Sequence, residues 1–94
     1  MKFVILGFDG PDGAKKRQIY RPDHLAKLDA LHAQQRVILA GPLTDGTGSL
    51  IVMSADYLAE AEAFVKEDPY TLNGVFERIE IHPFTQVLPK ENTP

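Results

Sequence analysis

The sequence predicts an α+β fold in the order β-α-β-β-α-β, on three observations. Four short runs are rich in β-branched and aromatic residues. Two intervening stretches carry apolar residues at helical spacing. Glycine, proline and aspartate cluster between them as turns.

The run 2–8, KFVILGF, reads as a buried strand closed by DGPDG. The stretch that follows, DGPDGAKKRQIY, holds two Asp-Gly steps, a proline and the basic cluster Lys15, Lys16 and Arg17, and is expected to be a long loop. The first helix is expected from Pro22 to Gln35, because proline suits the first helical position, where its missing N–H costs nothing. Leu25, Leu28 and Leu31 form its apolar stripe; His24 and His32 fall close to that stripe, while Lys27 and Gln34 point away. VILAG (37–41) and SLIVMS (49–54) are the second and third strands, joined through PLTDGTG with Asp45-Gly46 as the hairpin pivot. A second helix is expected over 56–67, with Leu58, Ala61, Phe64 and Val65 on one side. PYTLNG then turns the chain into a fourth strand, 75–84, with Val75, Ile79 and Ile81 on one face. The expectation is one domain over 1–94, with the tail 88–94 frayed.

This order is that of a ferredoxin-like sheet. Both helices cross over to one face, yet the first three strands are apolar on both: Phe3 and Ile5 against Val4 and Leu6, Val37 and Leu39 against Ile38 and Ala40, Leu50 and Val52 against Ile51 and Met53. Monomeric soluble proteins seldom expose so large an apolar patch, so a homodimer packed sheet on sheet is expected.

Composition removes several classes of function. The net charge of −3 argues against non-specific binding to nucleic acid or an anionic membrane surface. RNA-binding sheets of this topology stack bases on strand aromatics, and here those positions are aliphatic. The absence of cysteine excludes disulfides, thiolate nucleophiles and cysteine-ligated metals. No apolar run reaches the ~20 residues a membrane helix needs, and MKFVILGFDG is followed by no cleavage site, so a cytoplasmic protein is expected. There is no GxGxxG or Walker loop, and His24 and His32 stand eight apart rather than three or four, so neither a nucleotide cofactor nor a metal is expected.

His24, placed by this reading in the first turn of its helix, would feel the positive end of the helix dipole, which favours a neutral ring. Such a ring suits a general base or proton shuttle and calls for a carboxylate to fix its tautomer. Asp68, in EDPY at the exit of the second helix, is the candidate partner; the alternative is that it only closes a turn with Pro69. Arg17 and Arg21 offer guanidinium donors to an anionic group; the alternative is a solvated basic loop, with Arg21 paired to a nearby acid. Lys15 and Lys16 read as a solvated basic loop. Gly41 and Pro42 either shape a pocket floor, by letting the backbone come close, or simply end the strand. Tyr70 lines the cavity or caps it, Ser49 is the hydroxyl nearest the hairpin mouth, and His32 reads as packing with a polar tip.

The elements KR…YRPDHLAKL, LAGPL and DPYTLNGVFE…IHPF together resemble the YciI-related (YCII) family, over nearly the whole chain and in order. The family is similar in fold to the dimeric α+β barrels. The resemblance implies a His–Asp pair as the active site, carried by His24 of RPxHL and Asp68 of DPY. It implies no single reaction: relatives of this fold include isomerases and a dehydrochlorinase. The leading expectation is a cofactor-independent acid–base enzyme acting on a small anionic, aromatic or cyclic substrate. The rivals are a non-catalytic metabolite-binding or sensor dimer and a purely structural dimerisation module.

Overall fold

The computed structural model describes residues 1–91. Four strands, β1 (Lys2–Asp9), β2 (Val37–Pro42), β3 (Gly48–Ser54) and β4 (Phe76–Phe84), form one antiparallel sheet in the order β2-β3-β1-β4. Between them run α1 (Gly13–Ala33), α2 (Leu58–Glu67) and a single-turn α3 (Pro69–Leu72). This is the expected ferredoxin-like arrangement.

Register sorts the side chains into two faces. Phe3, Ile5 and Gly7 of β1 stand opposite Met53, Ile51 and Ser49 of β3 and Pro83, Ile81 and Ile79 of β4. These residues face the helices, and Phe3, Ile5, Ile51 and Met53 meet Ala61, Phe64 and Val65 of α2 in the core. The other face carries Val4, Leu6 and Phe8 of β1, Leu50 and Val52 of β3, and Leu39 and Gly41 of β2. On β4 that face is polar, with Arg78, Glu80 and His82. At the end of β1 the register passes from Phe8↔Arg78 to Asp9↔Phe76. Asp9 keeps the helix-side alternation of Phe3, Ile5 and Gly7, beside the start of α1, and the extra residue on β4, Glu77, turns Phe76 to that same side. The β1–β3 pair is close enough there that a Cβ on Gly48 would lie 2.0 Å from the Gly7 carbonyl oxygen.

Helix α1 departs most from expectation. The predicted loop after β1 is its first half, and Pro22 lies inside it rather than at its start. Ala14, Lys15, Lys16, Arg17 and Gln18 are all good helix formers. The inward stripe of α1 runs Gly13, Lys16, Arg17, Tyr20, His24, Lys27, Leu28 and Leu31, all buried or half-buried. The helical period is present, but its first half is polar, so an apolar pattern does not reveal it. Leu25 and His32 are exposed and do not belong to the packed stripe. On α2, Leu58 is likewise exposed, while Ala61, Phe64 and Val65 are buried. PYTLNG is mostly the short helix α3, and Val75, buried, precedes β4. Of the tail expected to fray, 92–94 fall outside the described residues. The preceding part is tied down, by Gln86 Nε2 donating to the Pro89 carbonyl at 2.6 Å and by an ion pair of Lys2 with Glu91. No described helix is long and apolar enough to cross a membrane.

Candidate active site

Where α1 passes α3, two polar pairs meet around one aromatic ring. The first joins His24, from the middle of α1, to Asp68, the residue between α2 and α3. His24 Nδ1 lies 2.7 Å from Asp68 Oδ1, and the two residues are only 6% and 3% exposed. Asp68 is also the N-cap of α3: the same Oδ1 accepts the backbone N–H of Tyr70 at 2.9 Å. Both readings of Asp68, partner of His24 and closer of a turn, hold at one atom. The helix-dipole argument for His24 does not: the residue is mid-helix, and a dipole's influence fades beyond the first turn. Its orientation comes from the carboxylate instead. An acceptor at Nδ1 selects the Nδ1–H tautomer of the neutral ring and leaves the lone pair on Nε2.

The second pair is Arg17 with Asp9. Arg17 donates from Nε to Asp9 Oδ2 at 2.6 Å and from Nη2 to Asp9 Oδ1 at 2.7 Å, a two-pronged contact. Nη2 also donates to Ser49 Oγ at 2.9 Å. Hydrogen bonding to Asp9 raises Arg17 further above its already high ordinary value, so its charge is permanent. Expectation treated Arg17 as a free anion binder; it is instead largely committed to Asp9 and Ser49. Gly13 makes room for this, because a Cβ there would lie 2.6–2.8 Å from the Asp9 side chain.

Tyr70 joins the two. Its ring lies against that of His24, with centroids 3.8 Å apart and planes 8° from parallel. The Arg17 guanidinium carbon is 5.0 Å from the same ring's centroid, a cation–π distance. Phe76 meets Tyr70 edge-on at 5.8 Å, and its ring fills the space that a Cβ on Gly7 would need. Burial pushes the Tyr70 phenol above its ordinary value, against the opposing pull of Arg17 and Arg21. Tyr70 is thus a buried wall and not a surface cap.

These groups border a cavity of about 320 Å³, near the lower end of the range for small-molecule sites. Of the residues singled out from sequence, His24, Arg17, Arg21, Gly41, Pro42, Ser49 and Tyr70 all line it. Asp68 does not; it stands behind His24. Leu25, Leu28, Ala40, Leu50 and Ile51 supply an apolar wall. Arg21 is exposed and makes no ion pair among the described residues. Nothing approaches within 4 Å of the place where a Gly41 Cβ would sit, so no close backbone contact requires glycine there. Among the described residues, no three His, Asp or Glu side chains converge as a metal site would need.

The chain matches the YCII-related domain over residues 1–85. It belongs to the YCII-related family. Protein YciI of Escherichia coli O6:H1 is 35% identical over 98 aligned residues, covering 94% of this chain and all of that protein. An uncharacterized protein of Haemophilus influenzae is 33% identical with the same coverage. Among solved structures, the 5-chloro-2-hydroxyhydroquinone dehydrochlorinase TftG from Burkholderia phenoliruptrix AC1100, in complex with 2,5-dihydroxybenzoquinone, superposes with a TM-score of 0.82 at 30% identity. That match covers 90% of this chain and 94% of TftG.

Within this YCII-related fold, two site residues escape a reading of motifs. Asp9 looks like one more acid in a turn, and its place beside Arg17 rests on α1 starting as early as Gly13. Phe76 looks like a strand aromatic. The helical spacing Gly13-Arg17-Tyr20-His24, at i and i+4 or i+3, is the signal that would have put Arg17 and His24 on one helix face.

Proposed function

We propose that the cavity is the active centre of a cofactor-independent acid–base enzyme, with His24 as the proton carrier and Asp68 as the group that orients it. The observation that carries this reading is the buried 2.7 Å contact of His24 Nδ1 with Asp68, on a ring that borders the cavity. Nε2 accepts a proton from a carbon or oxygen of the substrate, and Asp68 stabilises the imidazolium that results. In an elimination, the C–H electron pair becomes the new double bond, the leaving group departs with its own bonding pair, and the imidazolium later returns its proton to water. In an isomerisation the proton is given back at a second position. The substrate is small, cyclic or aromatic, and anionic, with Arg21 at the cavity mouth for its charge. The similarity to TftG supports a ring compound of the hydroxylated quinol type.

A second copy of the chain belongs against the open sheet face, which is apolar over β1 and β3 and has Leu39 51% exposed. Arg78, Glu80 and His82 make a polar border along β4. Light scattering after size exclusion tests this part, and a strict monomer removes it.

The enzymatic reading is tested with 5-chloro-2-hydroxyhydroquinone, following chloride release. General-base catalysis is worth about 10²–10⁴-fold, so His24→Ala is expected to lose turnover on that scale, and Asp68→Asn most of it. Turnover untouched by both substitutions overturns the dyad. A ligand that binds tightly and is recovered unchanged after long incubation points to the sensor reading.

A further inference from the structure

The geometry points to Ser49 as the hydrogen-bond donor that receives the substrate's negatively charged oxygen, with Asp9, acting through Arg17, as the positioning residue that imposes this role. The inference rests on the acid–base reading and adds to it the place where charge collects.

The argument is one of donor and acceptor polarity. Ser49 is 6% exposed and borders the cavity. Its Oγ lies 2.9 Å from Arg17 Nη2. A guanidinium can only donate, so Oγ must accept there, and the hydroxyl proton must point elsewhere. No acceptor among the described residues takes that proton, and the cavity is where it can serve. Arg17 is not free to turn away and release the hydroxyl. Asp9 grips Nε and Nη2 at 2.6 and 2.7 Å, and the rings of Tyr70 and Phe76 lie 5.0 and 5.6 Å from the guanidinium carbon.

Asp9 also cancels the charge of Arg17. This corner therefore offers a directed O–H rather than a bare cation, which suits a single oxyanion such as a phenolate, an enolate or a carboxylate. A dianionic phosphate would be poorly matched. The cavity then has one proton acceptor, His24 Nε2, and one fixed donor. As Nε2 takes a proton from a carbon next to a carbonyl, the C–H pair becomes a C=C bond and the carbonyl π pair moves to its oxygen, where Ser49 meets the charge. When that pair returns to re-form C=O, the C=C pair expels the leaving group or takes a proton back from the imidazolium. Hydrogen bonds to ionised groups are about twice as strong as neutral ones, so the contact gains strength as the charge develops.

The test uses the full-length protein and 4-nitrophenol, whose phenolate is read by visible absorbance. Wild type is expected to bind the phenolate in preference to the phenol, lowering the bound ligand's apparent pKa by about one unit or more. Ser49→Ala should weaken phenolate binding about tenfold or more and return the bound ligand's pKa toward its solution value, while Ser49→Thr keeps both. Asp9→Asn separates positioning from simple electrostatics. It removes a negative charge, so Coulomb attraction alone predicts tighter phenolate binding, whereas loss of positioning predicts weaker binding. Tighter binding in Asp9→Asn overturns the positioning role. Phenolate binding unchanged in Ser49→Ala, or absent in wild type, overturns the donor role. Either result is distinct from failure of the dyad, which is read from chloride release by His24→Ala.

Discussion

The imidazole of His24 lies flat on the phenol ring of Tyr70, 3.8 Å away between centroids. The same tyrosine presents its backbone N–H to the carboxylate that holds His24. Tyr70 therefore fixes the histidine twice, once through its ring and once through its main chain. Only the ring can be removed by mutation. Tyr70→Ala is expected to destabilise the fold by about 3–5 kcal/mol, as for a large buried aromatic. Tyr70→Phe keeps the stack and is expected to stay within about 1 kcal/mol of wild type. Urea denaturation measures both.

The Tyr70 phenol is held above its ordinary value by burial, more strongly than Arg17 and Arg21 pull it down. The neutral phenol is thus bound more tightly in the folded chain than in the unfolded one. Its contribution to stability is complete below the ordinary tyrosine pKa of about 10, and is lost as pH rises from there through the higher folded value. Alkaline difference spectra of wild type against Tyr70→Phe should show one tyrosine ionising late. A phenol that ionises at or below its ordinary value contradicts the burial argument.

Three glycine-to-alanine substitutions are expected to behave differently for steric reasons alone. At Gly48 the new methyl would meet backbone, the Gly7 carbonyl, which cannot step aside. At Gly13 it would meet the Asp9 carboxylate and disturb the grip on Arg17. Overpacking of this kind costs about 1–3 kcal/mol, with Gly48→Ala the worse of the two. Gly13 is the first residue of α1, where alanine gains less than the roughly 1 kcal/mol it brings to a helix interior, so the steric loss is expected to dominate. Gly41→Ala meets nothing within 4 Å in the chain and should be close to neutral. Thermal melts of the three variants, run together, give the order directly.

Asp68→Ala is expected to cost about 2–4 kcal/mol, since it removes a cap and leaves a buried ring nitrogen without its acceptor. His24→Ala keeps the cap but removes a buried ring stacked on Tyr70 and one donor to that carboxylate, and is expected to cost a similar amount. Nitrogen-15 NMR of the imidazole provides an independent check: in the neutral ring the proton should sit on Nδ1.

The strands were legible because alternation and turn chemistry are local. β1 and β3 come within a residue or so of their expected bounds, and the mixed character of the two sheet faces follows directly from KFVILGF and SLIVMS. The start of α1 was not legible. Pro22 imitates a helix start, and the residues before it put Lys16, Arg17 and Tyr20 where an apolar stripe would be sought. His32 was misplaced for a related reason. The packed face is centred on Arg17, Tyr20 and His24, so Leu28 and Leu31 stay inward as expected, Lys27 joins them instead of pointing away, and Leu25 and His32 are left in solvent. His24 and Asp68 stood out through their neighbours in RPxHL and DPY, although 44 positions separate them. Asp9 had no such signature. Its pairing with Arg17 depends on α1 beginning at Gly13, inside the stretch expected to be a loop.

One oxygen of Asp68 serves both the histidine and the first amide of a four-residue helix. Selection acting on that atom cannot distinguish the two duties. A descendant chain that had abandoned its chemistry would still gain from an aspartate there, because the turn into β4 depends on it. No backbone group asks for a histidine in the middle of α1. When related chains are compared, the imidazole is therefore the more informative marker of the proposed proton chemistry, and the carboxylate records mainly that the polypeptide still folds this way.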